Sequence, residues 1–175
     1  MKLSSEVLKS ESDIAERVRA LGREITEDYR GQEISVLGVL KGAFVFLADL
    51  VRAIRLPMEV GFLETITSRK SEVLTEIVFS SAMRLSTPFR IEGTHLLIVE
   101  DILDTGVTLA YLSEQLQLYQ PRSLKVCTLL DKPQRRRVDF QPAYTGFQVP
   151  DRWIVGYGLD HEGKHRNLPH LTWVE

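Results

Sequence analysis

Residues Leu96–Thr108, LLIVEDILDTGVT, decide how this chain folds and where its chemistry sits. The apolar run Leu96, Leu97, Ile98 and Val99 delivers two adjacent acids, Glu100 and Asp101, and three residues later Asp104 opens the turn Asp104-Thr105-Gly106-Val107-Thr108. That pattern predicts a buried strand ending in carboxylates, followed by a loop of small residues. The spacing of Leu109 to Tyr119 predicts a helix, so the backbone N–H groups of the turn should share one concavity at a helix N-terminus. Such a concavity binds phosphate. Carboxylates beside it would repel the same ligand unless they face sugar hydroxyls, a metal ion or a proton to be removed. Together they suggest a phosphorylated sugar. Three acids in five residues after a buried strand favour a site over a solvated surface.

Length and composition narrow the classes. The 175 residues suit one domain able to bury a core, and 43% apolar with 26% charged residues is ordinary for a globular protein. A formal charge of −2 gives no support for nucleic-acid binding. The local basic run Arg135-Arg136-Arg137 is expected to be a solvated loop. The lone cysteine, Cys127, stands inside an apolar run and is expected to be a buried thiol. The N-terminal stretch is too charged for a signal peptide, and no apolar run approaches the roughly 18 residues of a membrane span. A cytoplasmic protein without membrane contact is expected.

Outward from the opening stretch, Ser12 and Asp13 can cap a helix with Ile14, Val18, Leu21 and Ile25 on its inner face, ending near Tyr29. Ile34 to Leu40 is short, apolar and β-branched, which suits a central parallel strand stopping at Lys41-Gly42. A helix over Ala43 to Ile54 follows, with Phe44, Leu47 and Leu50 or Val51 inward. Met58 to Ile66 and Val73 to Met83 read as an antiparallel hairpin, with Thr67 to Glu72 a polar tip that could serve as a lid. Beyond the central helix come strands at Ser123 to Leu130, Tyr144 to Val149 and Trp153 to Tyr157. The strands at 34–40, 96–100 and 124–130 each end in a polar pair: Lys41-Gly42, Glu100-Asp101 and Asp131-Lys132. In an open parallel sheet the ligand crevice lies at the carboxyl ends of the strands, so these pairs should converge, with Trp153 to Tyr157 as a fourth element running toward Asp160.

Four blocks in order carry a resemblance over nearly the whole chain: VLGVLKGAFVFLADL at 36–50, LLIVEDILDTGVTL at 96–109, LKVCTLLDKPQRR at 124–136 and VGYGLDHEGKHRNLP at 155–169. They are similar to the type I phosphoribosyltransferases, and within them to the bacterial hypoxanthine or hypoxanthine-guanine enzymes. The resemblance implies an α/β fold over residues 1–175 as one domain. Its central, mainly parallel sheet is flanked by helices and carries a small hood from the N- and C-terminal segments. It implies purine salvage: N9 of hypoxanthine, and of guanine, attacks C1 of 5-phosphoribosyl 1-pyrophosphate (PRPP), and pyrophosphate leaves. Mg²⁺ is the implied cofactor, bridging pyrophosphate and ribose oxygens, and a homodimer or homotetramer the implied assembly.

The resemblance also places residues. Glu100 and Asp101 hold the ribose hydroxyls and, with Asp160, are the metal carboxylates. Asp104, Thr105, Gly106, Val107 and Thr108 surround the 5′-phosphate, with Asp104 also the general base beside the purine. Lys41, Gly42 and Arg166 meet pyrophosphate, and a cis peptide is implied before Lys41. Lys132 donates to O6 of the base, Trp153 stacks on it and the Ile154 backbone meets its edge. One departure stands out: Glu64 to Glu72 contains no Ser-Tyr pair of the kind that closes over the reacting centre in this family. A relative preferring xanthine, or a PRPP- or nucleotide-binding regulatory protein with little catalysis, would carry much the same motifs. Read without the resemblance, Trp153 suits a core position, Asp160 a turn, and the pair His161 and His165 a solvated loop.

Overall fold

The computed structural model describes residues 2–64 and 89–175. Five strands form a parallel sheet: β1 (Ile34–Leu40), β2 (Met58–Glu64), β3 (His95–Leu103), β4 (Ser123–Asp131) and β5 (Tyr144–Gln148). Their order is β2-β1-β3-β4-β5, which puts β3 at the centre. Its apolar run is buried completely on both faces, with Leu96, Leu97, Ile98 and Val99 all at 0% exposure. That is why the run lacks the alternation of a half-solvated strand. β3 does not stop at the acids, as the sequence pattern suggested. It continues through Glu100 and Asp101 to Leu103, because the ladder to β4 continues, pairing Glu100 with Thr128 and Leu103 with Asp131.

Helices α1 (Glu11–Asp28) and α2 (Phe44–Ala53) cover one face of the sheet, and α3 (Val107–Gln117) covers the other. Alternate residues of the strands divide accordingly, Val36, Leu97 and Val99 toward α1 and α2, Leu37, Leu96 and Ile98 toward α3. The N-cap of α1 is Ser10 rather than Ser12: its hydroxyl accepts from the Asp13 N–H while the Asp13 carboxylate accepts from the Ser10 N–H. Asp13 thus occupies the third position of a capping box. On α2 the inner face is Phe46, Leu47 and Leu50, and Phe44 is 45% exposed. Leu47 and Leu50 face inward as expected, and Phe46 takes the place expected of Phe44, because an apolar helix fixes its inner face only weakly by pattern.

Trp153 to Tyr157 differs from its expected place as well. β6 (Trp153–Val155) is not part of the central sheet but pairs antiparallel with β7 (Thr172–Val174). Leu3 bridges to Val174 and Lys9 to Leu171, so N- and C-terminal segments build the expected hood together. A three-residue apolar strand carries no signal of which sheet it will join. The hood is tied to α2 by the Tyr157 hydroxyl, which donates to Asp49 at 2.5 Å. β2 ends at Glu64 within the described residues. The proposed hairpin strand Val73 to Met83 and the tip Thr67 to Glu72 lie outside them. No helix among the described residues is long and apolar enough to cross a membrane.

Candidate active site

The carboxyl ends of β1, β3 and β4 meet under the hood. Gly42, just after β1, sits so close to β3 that a Cβ there would fall inside the Asp101 carboxylate. Gly158 of the hood in turn packs on the carbonyl oxygen of Gly42, where its own Cβ would not fit either. The Leu40–Lys41 peptide is cis, and the exposed Lys41 ammonium lies 3.8 Å from Glu64. After β4, the Lys132 N–H donates to the Leu103 carbonyl at 2.9 Å, bringing that loop against the end of β3. Lys41-Gly42, Glu100-Asp101 and Asp131-Lys132 therefore border one cleft.

Glu100 and Asp101 form no ion pair among the described residues, and protein surrounds both. Burial raises the carboxyl of Glu100 well above the ordinary range, and the adjacent Asp101 charge pushes it further. Burial raises Asp101 too, against the opposing pull of hydrogen bonds and of Arg166. Two neighbouring carboxylates without a cation are electrostatically incomplete and suit hard cationic or hydroxyl partners. Asp160 is different. Arg166 engages its Oδ1 at 2.7 Å and the Gly163 N–H donates to its Oδ2 at 2.7 Å, so both oxygens are occupied from within the hood. Arg166 also donates to the Gly158 carbonyl at 2.7 Å. Among the described residues no group of three or more His, Cys, Asp and Glu side chains is arranged to hold a metal by itself.

The turn after β3 has the predicted form. Gly106 is the N-cap of α3 with φ +83°, a left-handed conformation that glycine tolerates, and Val107 and Thr108 form the first turn. Gly106 has no side chain to cap the helix, and the one side-chain bond at its start is the long 3.4 Å contact from the Val107 N–H to Thr105 Oγ1, which a ligand can replace. A Cβ at Gly106 would also meet Arg136 Cδ at 2.9 Å and Val138 Cγ2 at 3.0 Å.

Those contacts overturn the expectation of a solvated run for Arg136, while Arg135 and Arg137 are exposed. Arg136 is half-buried, pairs with the buried Asp131, and donates to the Asp104 carbonyl at 2.5 Å and the Leu103 carbonyl at 3.3 Å. The Arg137 N–H donates to the Thr105 carbonyl at 2.9 Å. Arg135 Nε donates to Asp104 Oδ1 at 2.5 Å. These arginines clamp the phosphate-type turn from behind, and nothing in their own spacing announces it. The only available signal was Asp131, buried at a strand end and needing a cation.

The remaining predicted residues line the same cleft or its hood. Lys132 is 6% exposed and donates to the Arg152 carbonyl at 2.8 Å. Trp153 is 53% exposed, which excludes the core position that pattern alone suggested. Its indole N–H donates to the Asp160 carbonyl at 3.0 Å, and its ring lies edge-on to His161. Ile154 is buried beneath it. His161 and His165 are half-buried rather than fully solvated, because the hood folds back on itself through the 161–164 bridge. Cys127 is buried in β4, and burial pushes its thiol far up.

A family model described as a phosphoribosyl transferase domain matches residues 4–162. The chain is 43% identical to the hypoxanthine phosphoribosyltransferase of Haemophilus influenzae over 174 residues, covering 97% of this chain and 94% of that one. It is 40% identical to the hypoxanthine-guanine phosphoribosyltransferase of Bacillus subtilis over 166 residues, covering 94% and 90%. Among solved structures, a hypoxanthine-guanine phosphoribosyltransferase of Bacillus anthracis, with a HEPES molecule in its active site, superposes with a TM-score of 0.88. That pair shares 40% identity over 99% of this chain and 100% of that one.

Proposed function

Since the chain belongs to the phosphoribosyl transferase family, whose model spans residues 4–162, we propose that it is a purine salvage enzyme. It transfers the phosphoribosyl group of PRPP to N9 of hypoxanthine and guanine. Residues 1–175 act as one domain, in the cytoplasm, as a homodimer or homotetramer. The observation that carries the reaction is the likeness, over 97% of the chain, to a hypoxanthine enzyme 43% identical to it.

The cleft accounts for the steps. The turn Asp104 to Thr108 takes the 5′-phosphate at the N-terminus of α3, where the left-handed Gly106 lets the chain turn into the helix against Arg136 and Val138. Gly42, free of a side chain, offers its backbone to pyrophosphate, with Lys41 and Arg166 supplying charge. Glu100 and Asp101 take the ribose hydroxyls. The same pair fits Mg²⁺ in part: its oxygens are hard, half-buried and without an ion pair among the described residues, whereas Asp160 must first release Arg166 and Gly163 to act as a ligand. A cation held by two carboxylates, with substrate oxygens and water completing its shell, is the usual arrangement for Mg²⁺. When bound, the ion neutralises charge developing on the departing pyrophosphate. Asp104 accepts the purine proton as N9 forms its bond to C1, and Lys132 donates to O6. Trp153 stacks on the ring, and the Ile154 backbone meets its edge. The exposed indole, held by the Asp160 carbonyl, supports that role.

The test is product formation. Protein, PRPP, MgCl₂ and hypoxanthine should give the purine nucleotide and an equal amount of pyrophosphate, and EDTA should abolish turnover. Tight binding of PRPP or nucleotide with no turnover would leave a sensor in place of an enzyme.

A further inference from the structure

Asp104 and Lys132 of the steps above are joined by a chain of charge whose two middle members, Arg135 and Asp151, have no part in those steps. Arg135 Nε donates to Asp104 Oδ1 at 2.5 Å, while its Nη1 reaches both oxygens of Asp151 at 3.0 and 3.1 Å. Asp151 Oδ1 lies 3.8 Å from Lys132 Nζ. The order Asp104, Arg135, Asp151, Lys132 alternates in sign throughout. Three separate segments are joined: the turn after β3, the short 3-10 helix Pro133–Arg135 after β4, and the loop before β6. The backbone ties two of the four together, since the Arg135 N–H donates to the Lys132 carbonyl at 3.0 Å.

We propose that Arg135, through Asp151, is a positioning residue that sets the carboxylate of Asp104 and the ammonium of Lys132 as a unit against the edge of the purine. The inference rests on the placement of Asp104 and Lys132 at the base given under the proposed function. A planar guanidinium that bonds two carboxylates at once fixes both their directions, which a flexible point charge does not. Lys132 has little other charge to lean on: it is almost fully buried, and its remaining contact is the Arg152 carbonyl. Arg136 cannot substitute, because its Nη2 is given to Asp131 and its Nη1 to the Leu103 and Asp104 carbonyls, while its buried Nε has no partner among the described residues. Without Arg135, Asp151 has only Lys132 to pair with and draws it away from O6, while Asp104 loses its orienting bond. Both groups that recognise the base are then misplaced. The phosphate turn is held by Arg136 and Arg137 and stays as it was.

The expected signature divides the two substrates. In Arg135→Gln, KM for hypoxanthine rises about tenfold and the preference for hypoxanthine over adenine falls by a similar factor, while KM for PRPP stays within about twofold. Asp151→Asn behaves alike. The double variant is no worse than either single one, as expected for members of one network. Arg135→Lys does not restore the wild-type values, since an ammonium cannot span both carboxylates. Both positions are more than a third exposed, so melting temperatures should move by only a few degrees. Wild-type KM and base preference in Arg135→Gln, or effects that multiply in the double variant, would overturn the proposal. Asp104→Asn separates the two levels of the argument. A loss of about a hundredfold or more in kcat supports the base assignment on which the inference stands. Normal turnover there removes that assignment, and the inference with it, whatever Arg135→Gln does.

Discussion

Gly42 and Asp101 are packed so tightly that the side chain of one is possible only because the other has none. At this scale Gly42 is defined by space, and a lysine-glycine pair after a strand gives no hint of it. Gly42→Ala must push the new methyl against the Asp101 carboxylate or move the loop. Displacing a reacting group by about 1 Å costs on the order of a hundredfold in rate. Steady-state kinetics with PRPP and hypoxanthine should therefore show kcat/KM reduced by about that factor, with the fold retained by circular dichroism. Unaltered kinetics would mean that the cleft relaxes around the methyl. Residue by residue, the acids of the opening stretch stood out in the sequence, and the structure leaves Glu100 and Asp101 without an ion pair among the described residues while giving Asp104 to Arg135. The arginines were not. Whether Arg135 and Arg136 face water or Asp104 and Asp131 depends on a loop path that no local pattern encodes, and a run of like charges looks the same in both cases.

Among the elements, β1 was legible to the residue and β4 to within one, because strands buried on both faces are continuous apolar runs flanked by polar breaks. β6 was assigned to the wrong sheet because three residues record burial but not partner. On α2 only Phe44 was misplaced, with Phe46 buried in its stead, because nearly all the side chains of that helix are apolar. The start of β3 carries a further consequence. His95 hydrogen-bonds through Nδ1 to Ser123 Oγ, 2.7 Å away at the start of β4, and lies edge-on to Tyr29 of the α1 terminus. Burial depresses its pKa from 6.5, with help from the charge of Arg122. A histidine lowered in the folded state favours the neutral form there, so the unfolded chain binds the proton first. Its contribution to stability is present above about pH 6.5 and is lost as pH falls below it. Urea denaturation between pH 7.5 and 5.5 should show stability declining on the acid side, and His95→Gln should flatten that decline. An identical slope in the variant would remove His95 as its cause.

The molecule as a whole is a parallel sheet whose strand ends are roofed by its own termini. The backbones of Lys2 and Glu175 bond to each other at 3.1 and 2.9 Å, so both ends of the chain take part in the hood. The hood reaches the sheet at Gly158 on Gly42 and at Tyr157 on Asp49. On the proposed reading Trp153 and Ile154 of the hood and Lys132 at the end of β4 meet the base, and the bond from Lys132 to the Arg152 carbonyl joins the two segments. An O6 acceptor satisfies a buried lysine, whereas the exocyclic amino group of adenine leaves it unpaired, and sites of that kind discriminate by roughly 10⁴ or more. The most direct measurement is kcat/KM with saturating PRPP and Mg²⁺ for hypoxanthine, guanine, xanthine and adenine. The account predicts efficient turnover of hypoxanthine and guanine, with adenine slower by about four orders of magnitude. Comparable rates for adenine and hypoxanthine would contradict it.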